Sequence, residues 1–281
     1  MQLAPRYGTD PVITLDGDPS AVLAPTVRQR RRLAAAVSAL TDEQWSAPSR
    51  CDGWSSRDVI VHVDSVNVFW TASLQAGLRG TPTQYLATFD PAASPAQMVA
   101  ASPISGAEAC ARFLASTAAF VEALEALDDD GWRTLAETPP GHLTISALAH
   151  HALWDSWVHE RDILLPLGST SDVEPDEVAA SLRYVAALGP ALALNSGTVG
   201  RGTLTVDVAD PTLAITVRIG DRVTVADGTD TAAGDDPLCL TGDAVDLLEM
   251  LSIRRPFAAA IPEQHAWMLR GLSAAFDDPL G

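Results

Sequence analysis

The chain has 281 residues, of which 47% are apolar and 19% charged, so it is long enough for two domains and apolar enough for a sizeable core. This composition excludes a wholly disordered or fibrous chain. The 36 acidic residues outnumber the 18 basic ones, and the net charge of −18 repels nucleic-acid phosphates and anionic lipids. We therefore expect neither a nucleic-acid nor a membrane partner.

The cysteine pattern and the N-terminus indicate the compartment. Three widely spaced cysteines form neither a disulfide framework nor a CxxC metal motif. The first residues lack the apolar core of a secretory signal, and no run of 18 apolar residues predicts a membrane span. We expect a cytoplasmic protein that is a monomer or a homodimer.

The first part of the chain is predicted to be helical, from its apolar spacing and its Pro and Gly breakers. The predicted helices cover residues 24–40, 57–78, 105–127 and 144–165. Residues 80–103 are rich in Pro, Ser, Thr and Ala, and we interpret them as an excursion that could flank a pocket. Four helices with moderate loops favour an all-α four-helix bundle.

Two local features of these helices have a physical interpretation. Residues 28–32, Arg-Gln-Arg-Arg-Arg, are interpreted as a solvated helix face rather than a basic patch, because the rest of the chain is acidic. Ser55 or Ser56 is a suitable N-cap for the second helix, and Asp58 falls in its first turn, where the helix dipole favours negative charge.

The pattern changes after residues 168–177, a polar segment that we interpret as a linker. The elements predicted beyond it are a helix at 177–194, strands at 203–208, 213–218, 222–225 and 237–240, and helices at 243–253 and 264–276. Gly220-Asp221 predicts a hairpin between the second and third of these strands. We therefore expect an all-α domain in residues 1–170 and a smaller α+β domain in residues 176–281.

The fourth predicted helix carries the densest polar cluster of the chain. His151, Asp155 and His159 recur every four residues and so share one stripe of the helix. Asp155 and His159 suit two ligands of one metal ion, and His62 in the apolar second helix is the candidate third, because facing helices of a bundle can project ligands inward. Three protein ligands would leave positions for water or substrate. Asp162 could orient a ligand histidine.

Each of these residues also has a simpler interpretation. A single histidine on a helix is more often a core or surface residue than a ligand, and an Asp-xxx-His pair is often only a hydrogen bond on the helix surface. His151 could be a fourth ligand, a substrate contact or a structural residue. Cys51 is interpreted as part of a loop signature rather than as a nucleophile, because the sequence assigns no His-Asp pair to it.

A set of motifs resembles a known family. Residues 40–45, Leu-Thr-Asp-Glu-Gln-Trp, followed by residues 51–62, Cys-Asp-Gly-Trp-Ser-Ser-Arg-Asp-Val-Ile-Val-His, are similar to the N-terminal signature of mycothiol-dependent maleylpyruvate isomerase-like proteins. These are actinobacterial members of the DinB/YfiT-like metal-dependent superfamily. Residues 155–162 match the family spacing of an acidic residue, a histidine four positions later and an aspartate three after that. The similarity continues through residues 240–256 and covers about residues 20 to 260.

The resemblance implies a DinB-like four-helix bundle followed by a small sterol-carrier-like α+β domain. It also implies a divalent metal ion, usually zinc, on His62, Asp155 and His159, with mycothiol as the thiol cosubstrate. Two positions depart from the family pattern: Asp155 stands where Glu is usual, and Ile253-Arg254 stands where the family has Gly-Arg. Arg254 is the candidate catalytic residue, expected to hold a substrate carboxylate.

These features lead to an expected chemistry. A thiol near a divalent cation loses its proton readily, and the thiolate could add to an electron-poor alkene. Rotation and loss of the thiol give a cis–trans isomerisation, whereas a retained adduct or another leaving group gives S-transfer. We therefore expect a metal-dependent, mycothiol-dependent enzyme acting on a small molecule. Two alternatives remain open: a metal enzyme of specialised metabolism on the same scaffold without mycothiol, and a non-catalytic small-molecule-binding protein.

Overall fold

A computed structural model describes residues 3–230, 236–257 and 259–276. A helical N-terminal part is followed by a part that contains a five-stranded sheet. The helices are α1 Leu23–Ser38, α2 Asp42–Ser46, α3 Ser56–Leu78, α4 Ser94–Ala100, α5 Gly106–Glu125, α6 Asp129–Arg133, α7 Ile145–Leu164, α8 Pro175–Asn195, α9 Ala244–Leu251 and α10 Glu263–Ala275. The strands are β1 Ile13–Leu15, β2 Leu135–Thr138, β3 Gly141–Thr144, β4 Gly202–Ala209, β5 Thr212–Ile219, β6 Val223–Asp227 and β7 Leu238–Gly242.

The long helices α1, α3, α5 and α7 pack against one another and enclose apolar side chains. Their ends lie within two residues of the predicted ones, because local signals set them. Helix α3 begins with a capping box: the Ser55 hydroxyl accepts from the Asp58 N–H, and the Asp58 carboxylate accepts from the Ser55 N–H. The capping box fixes where the helix that carries His62 begins.

Two segments in the first part contain elements that the sequence pattern does not predict. Residues 80–103 contain a 3₁₀ turn at Tyr85–Thr88 as well as α4. The Pro139-Pro140-Gly141 break is the turn of a hairpin between β2 and β3. Gly141 has a φ of +128°, and a Cβ there would lie 2.0 Å from the carbonyl oxygen of Arg6, so only glycine fits this approach of two backbones.

The interpretation of residues 28–32 as a solvated face is wrong for part of the segment. Arg30 is fully buried and donates to the amide oxygen of Asn67 at 2.5 Å. Arg32 forms an ion pair with Glu160 of α7 at 2.8 Å. A cation can be buried where neighbouring helices offer acceptors to it, as they do to the two Nη atoms of Arg30, and the composition of the chain does not reveal such partners.

The sheet has the strand order β1-β6-β5-β4-β7, in which β1–β6 and β4–β7 are parallel pairs and the others antiparallel. The predicted hairpin at Gly220-Asp221 is confirmed as the connection of β5 and β6. Strand β1 was not predicted, because three residues are too short to show an alternating pattern. Helix α8 packs between the sheet and α7, and α9 and α10 also contact it.

One helix among the described residues, α8, is long and apolar enough to cross a membrane by length and composition. Of its most apolar window, 83% is buried inside the protein, where it packs against other helices and the sheet. A helix that is apolar all round and buried in this way is typical of a core helix.

Candidate functional site

Helices α3 and α7 bring His62, Asp155 and His159 together. One potential ligand atom from each residue lies within 4.8 Å of the others. His159 Nε2 is 3.6 Å from Asp155 Oδ1, and the rings of His62 and His159 have their centroids 5.0 Å apart. Asp155 and His159 share a face of α7 because they are one turn apart, and His62 reaches them because α3 packs against α7.

This set of donors fits a divalent cation such as zinc. Two imidazole nitrogens and one carboxylate oxygen form a common catalytic zinc set, which leaves a coordination position open. Asp155 Oδ2 is buried and has no hydrogen-bond partner among the described residues. Because buried polar atoms are usually paired, a cation would satisfy an oxygen that the protein leaves alone. Metal binding by these three residues stays a prediction that this geometry favours.

The other ring nitrogen of His159 is held by Asp162. Nδ1 lies 3.0 Å from Asp162 Oδ2, while Nε2 is on the Asp155 side. Arg254 donates from Nε and Nη2 to the two oxygens of the same carboxylate, at 3.0 and 2.9 Å. The Cys51 thiol donates to Asp162 Oδ2 at 3.2 Å. Carboxylates commonly orient metal-binding histidines in this manner.

Cys51 reaches this position through a tight turn of the loop before α3. The Trp54 N–H donates to the Cys51 carbonyl at 3.0 Å, and Gly53 takes up the positive φ of 73° that the turn requires. The Arg50 N–H donates to the backbone carbonyl of Asp162 and ties the loop to α7. The statement that no His-Asp pair belongs to Cys51 is therefore corrected: its sulfur is 3.8 Å from His159 Nδ1 and contacts Asp162.

Cys51, His159 and Asp162 also form a second group of potential metal ligands. Two nitrogens of Arg254 already donate hydrogen bonds to the Asp162 carboxylate. A cation at this second group would have to displace a guanidinium from a buried carboxylate, which is costly. We therefore assign the metal-site prediction to His62, Asp155 and His159.

The charges of the site are strongly coupled. Burial lowers the pKa of His62 to about 4, and the nearby His159 adds to this effect. Burial also opposes a charge on His159, but Asp155 and the hydrogen bond with Asp162 outweigh it and raise its pKa to about 10. Burial opposes the charge of Asp155, but its pKa is lowered because the charges of three histidines and of Arg30 outweigh this effect. A bound cation would replace the His159 proton, since a ligand imidazole must be neutral.

His151, on the same stripe of α7, is held by different partners. Its Nδ1 lies 2.7 Å from the Tyr184 hydroxyl, and its ring packs against Trp70 and Trp154 at centroid distances of 4.9 and 5.2 Å. Burial lowers its pKa to about 4. His151 belongs to neither group of potential ligands among the described residues, although it lines the same cavity as Asp155.

The three predicted ligands line a cavity of about 1050 Å³. Its walls come from α3, α7, α8, α10, the end of α9 and the segment 80–103, and most of the lining side chains are apolar. The prediction that residues 80–103 flank a pocket is confirmed. Arg254, predicted to hold a substrate carboxylate, also lines the cavity, with Nε and Nη2 engaged by Asp162.

The helical region matches the model of a known protein family. Residues 27–164, which contain all three predicted ligands, match the family model of the mycothiol maleylpyruvate isomerase N-terminal domain. The helical part of this chain belongs to that family. No curated protein matches the sequence significantly.

Two solved structures resemble the chain over most of its length. They are a crystal structure of mycothiol-dependent maleylpyruvate isomerase and one of a histidine-to-alanine mutant of that enzyme, with 15% and 14% sequence identity and a TM-score of 0.60 each. Both alignments cover 87% of this chain and 95% of the other. At this identity they show the fold alone, a helical N-terminal part followed by a sheet-containing part.

Proposed function

We propose that the protein is a divalent-metal-dependent, mycothiol-dependent enzyme that activates a thiol for attack on a small electrophile, as a cis–trans isomerase or an S-transferase. The convergence of His62, Asp155 and His159 in one cavity wall carries this proposal, and the family of residues 27–164 supports it. In the same proposal the enzyme is cytoplasmic. Its helical part is a DinB-like four-helix bundle, and residues 176–281 form a sterol-carrier-like domain.

The polar residues of the site fall into metal ligands and residues that position them in this proposal. His62, Asp155 and His159 would hold the cation, with zinc the best match to the donors. A cation bound there would lower the pKa of a neighbouring thiol and so would supply a thiolate nucleophile at neutral pH. The Asp162 carboxylate accepts a hydrogen bond from the Nδ1–H of His159 and thereby fixes the tautomer that presents Nε2. Arg254 keeps Asp162 ionised and in place, which is a positioning role.

The bond changes define the class of reaction. The thiol sulfur forms a C–S bond to an electron-poor alkene carbon, and the π electron pair moves towards the electron-withdrawing group of the substrate. In an isomerisation, rotation about the new single bond precedes return of the electron pair and cleavage of the C–S bond, so the thiol is recovered. In S-transfer the C–S bond is kept and the neighbouring carbon takes a proton, or another group leaves. The apolar walls of the cavity limit the water that could compete as nucleophile.

The first experiment is elemental analysis of protein purified without a polyhistidine tag. We expect near-stoichiometric zinc in the wild type and loss of zinc in His62→Ala, with unchanged helicity by circular dichroism. His265→Ala, which removes a histidine outside the lining of the cavity, is the matched control and should keep its metal. Wild-type protein that remains metal-free after incubation with zinc would overturn the metal site.

Thiol dependence separates the proposal from its alternatives. The zinc-loaded enzyme is assayed with a panel of electron-poor alkenes, with and without mycothiol. Turnover that needs both zinc and mycothiol supports the proposal. Turnover that needs zinc alone indicates an enzyme of the same scaffold that does not use mycothiol. Zinc binding without any turnover, together with a co-purifying apolar ligand, indicates a binding protein.

A further inference from the structure

We propose that the ligand of this cavity is a neutral, largely apolar electrophile with an aromatic or branched-alkyl body, rather than a small dicarboxylate. The claim that the ligand is an electrophile rests on the proposed function. The apolar character of the ligand rests on the cavity itself and is tested separately below.

The walls of the cavity are built for apolar contact. Helix α3 contributes Val66 and Phe69, α8 contributes Leu188 and Leu192, and α10 contributes Leu272. The volume of about 1050 Å³ is just above the ~300–1,000 Å³ that pockets for drug-sized ligands occupy. A four- or five-carbon dianion would leave most of this apolar surface without a partner, whereas an aromatic or branched body would cover it.

The cations that line the cavity are already paired. Among the described residues the lining arginines are Arg50 and Arg254. Arg254 binds Asp162 at 2.9 Å, and Arg50 lies 2.9 Å from Glu249 and 3.4 Å from Asp162. The sequence contains no lysine.

A second carboxylate on the ligand would therefore have to share a guanidinium with Asp162 or Glu249, or remain buried and unpaired. Asp155 in the same wall would repel it. One polar group of a ligand, such as a carbonyl oxygen, could still meet a cation bound by His62, Asp155 and His159. The charge pattern thus accommodates one polar group on an otherwise apolar molecule.

The end of α9 supplies an independent observation. The Arg254 N–H donates to the Glu249 carbonyl at 2.9 Å and the Ile253 N–H to the Met250 carbonyl at 3.1 Å, which is a Schellman motif. Ile253 occupies the position that glycine normally takes, with a φ of +54°. This conformation is strained for a β-branched side chain.

Ile253 lines the cavity beside Arg254. Glycine would give the same backbone without strain but would add no apolar surface to the wall. A strained isoleucine at this point favours a use of its side chain in ligand contact, because backbone strain of this kind clusters at active sites and ligand clamps. Ile253 is therefore assigned as a specificity-determining residue.

Ligand binding can be measured without any turnover. Trp54, Trp70 and Trp154 line the cavity, so their fluorescence reports its occupation. The probes are 4-phenyl-2-butanone, a neutral aromatic ketone, and succinate, each titrated into metal-free and zinc-loaded protein. We expect 4-phenyl-2-butanone to bind at least about tenfold more tightly than succinate in both forms. Succinate binding as tightly or more tightly in the zinc-loaded form would overturn the assignment of ligand class.

Variants of Ile253 test whether this residue contributes to ligand specificity. We expect Ile253→Gly to weaken the binding of 4-phenyl-2-butanone about threefold or more, because it removes apolar contact with the ligand. Zinc content should not change, because glycine adopts this backbone conformation without strain. Ile253→Val should restore most of the affinity. Val245→Ala truncates an apolar residue of the preceding helix α9 that lies outside the cavity lining, and it should have no effect. Equal affinities of wild type and Ile253→Gly for 4-phenyl-2-butanone would show that Ile253 does not determine ligand specificity.

A thiol assay then distinguishes the two proposals. The zinc-loaded enzyme is given mycothiol and either trans-4-phenyl-3-buten-2-one or maleate. Faster consumption of the enone supports both proposals. Preferred binding of 4-phenyl-2-butanone with no turnover of either alkene overturns the proposed function and leaves the ligand class standing. Preferential turnover of maleate overturns the ligand class while supporting the function.

Discussion

Arg254 and Asp162 form a two-point ion pair that joins the end of α9 to α7. Nε and Nη2 of Arg254 reach the two carboxylate oxygens at 3.0 and 2.9 Å, and Asp162 is fully buried. Burial opposes the charge of Asp162, but the His159 hydrogen bond and the Arg254 charge outweigh it and hold its pKa well below the usual range. The sheet-containing part of the chain thus supports the histidine that α7 presents.

Asp162→Asn should weaken zinc binding by about 10–100-fold, the usual effect of losing a carboxylate behind a ligand histidine. An asparagine can still accept one hydrogen bond from His159, but it carries no charge to stabilise the ring or to pair with Arg254. Zinc affinity is measured by competition with a chromophoric chelator.

The control for this variant is Asp207→Asn, which removes an exposed carboxylate on β4. Its zinc affinity should equal that of the wild type. Equal affinities of Asp162→Asn and wild type would show that Asp162 does not orient a metal ligand.

Local signals explain why much of the helical part could be predicted. The Ser55 cap and the apolar spacing of α3 act over a few residues, so the sequence near His62 contains them. The i, i+4 spacing of Asp155 and His159 likewise fixes their shared face. The candidate ligand set follows from these short-range patterns together with the family resemblance.

Contacts between distant segments could not be predicted in the same way. The Cys51–Asp162 contact spans 111 positions and the His151–Tyr184 hydrogen bond spans 33, so neither leaves a local pattern. The burial of Arg30 depends on acceptors that other helices bring to it. Such contacts are set by the packing of helices, which sequence periodicity does not specify.

Glu137 should control the order of the segment that lines the cavity. Its buried carboxylate accepts hydrogen bonds from the Thr83 hydroxyl at 2.6 Å, the N–H groups of Tyr85 and Leu86 at 2.9 and 2.7 Å, and the Tyr7 hydroxyl at 2.8 Å. Glu137→Ala leaves these donors unsatisfied, and each such group costs about 1–3 kcal/mol when it stays buried. We expect faster amide exchange at Tyr85 and Leu86, measured by hydrogen–deuterium exchange.

Glu122→Ala removes an exposed carboxylate of α5 and is the matched control. Its exchange pattern in the segment 80–103 should equal that of the wild type. Unchanged exchange in Glu137→Ala would mean that other contacts hold this segment.

Gly271 permits the close crossing of α8 and α10. A Cβ at this position would lie 1.9 Å from the carbonyl oxygen of Gly189 and 2.8 Å from the Ala193 nitrogen, so backbone would have to move. We expect Gly271→Ala to lower the free energy of unfolding by about 1–3 kcal/mol, the usual cost of overpacking. The change is measured by urea unfolding.

The comparison variant for the helix crossing is Gly220→Ala. A Cβ there would meet only the end of the Arg201 side chain, at 3.2 Å, and that side chain can move away. The free energy of unfolding should therefore change much less in Gly220→Ala. Similar losses in both variants would contradict a specific role of the glycine contact.

His150 should make the fold less stable in mild acid. Burial lowers its pKa from 6.5 to about 4, and Arg183 of α8 adds to this, although the hydrogen bond to the Ser146 carbonyl opposes it. Between pH 6.5 and 4 the unfolded chain binds a proton at His150 that the folded chain does not. The stability present above pH 6.5 is thus lost as the pH falls towards 4, by up to about 3 kcal/mol at 1.36 kcal/mol per pKa unit.

His150→Leu removes this proton-binding difference while keeping an apolar side chain in the core. Urea unfolding at pH 7 and at pH 4.5 should show a smaller loss of stability in the variant than in the wild type. The histidines of the predicted metal site remain in both proteins, so their contribution cancels in the comparison. Parallel pH profiles for the two proteins would show that His150 is protonated equally in the folded and unfolded chains, contrary to the lowering of its pKa by burial.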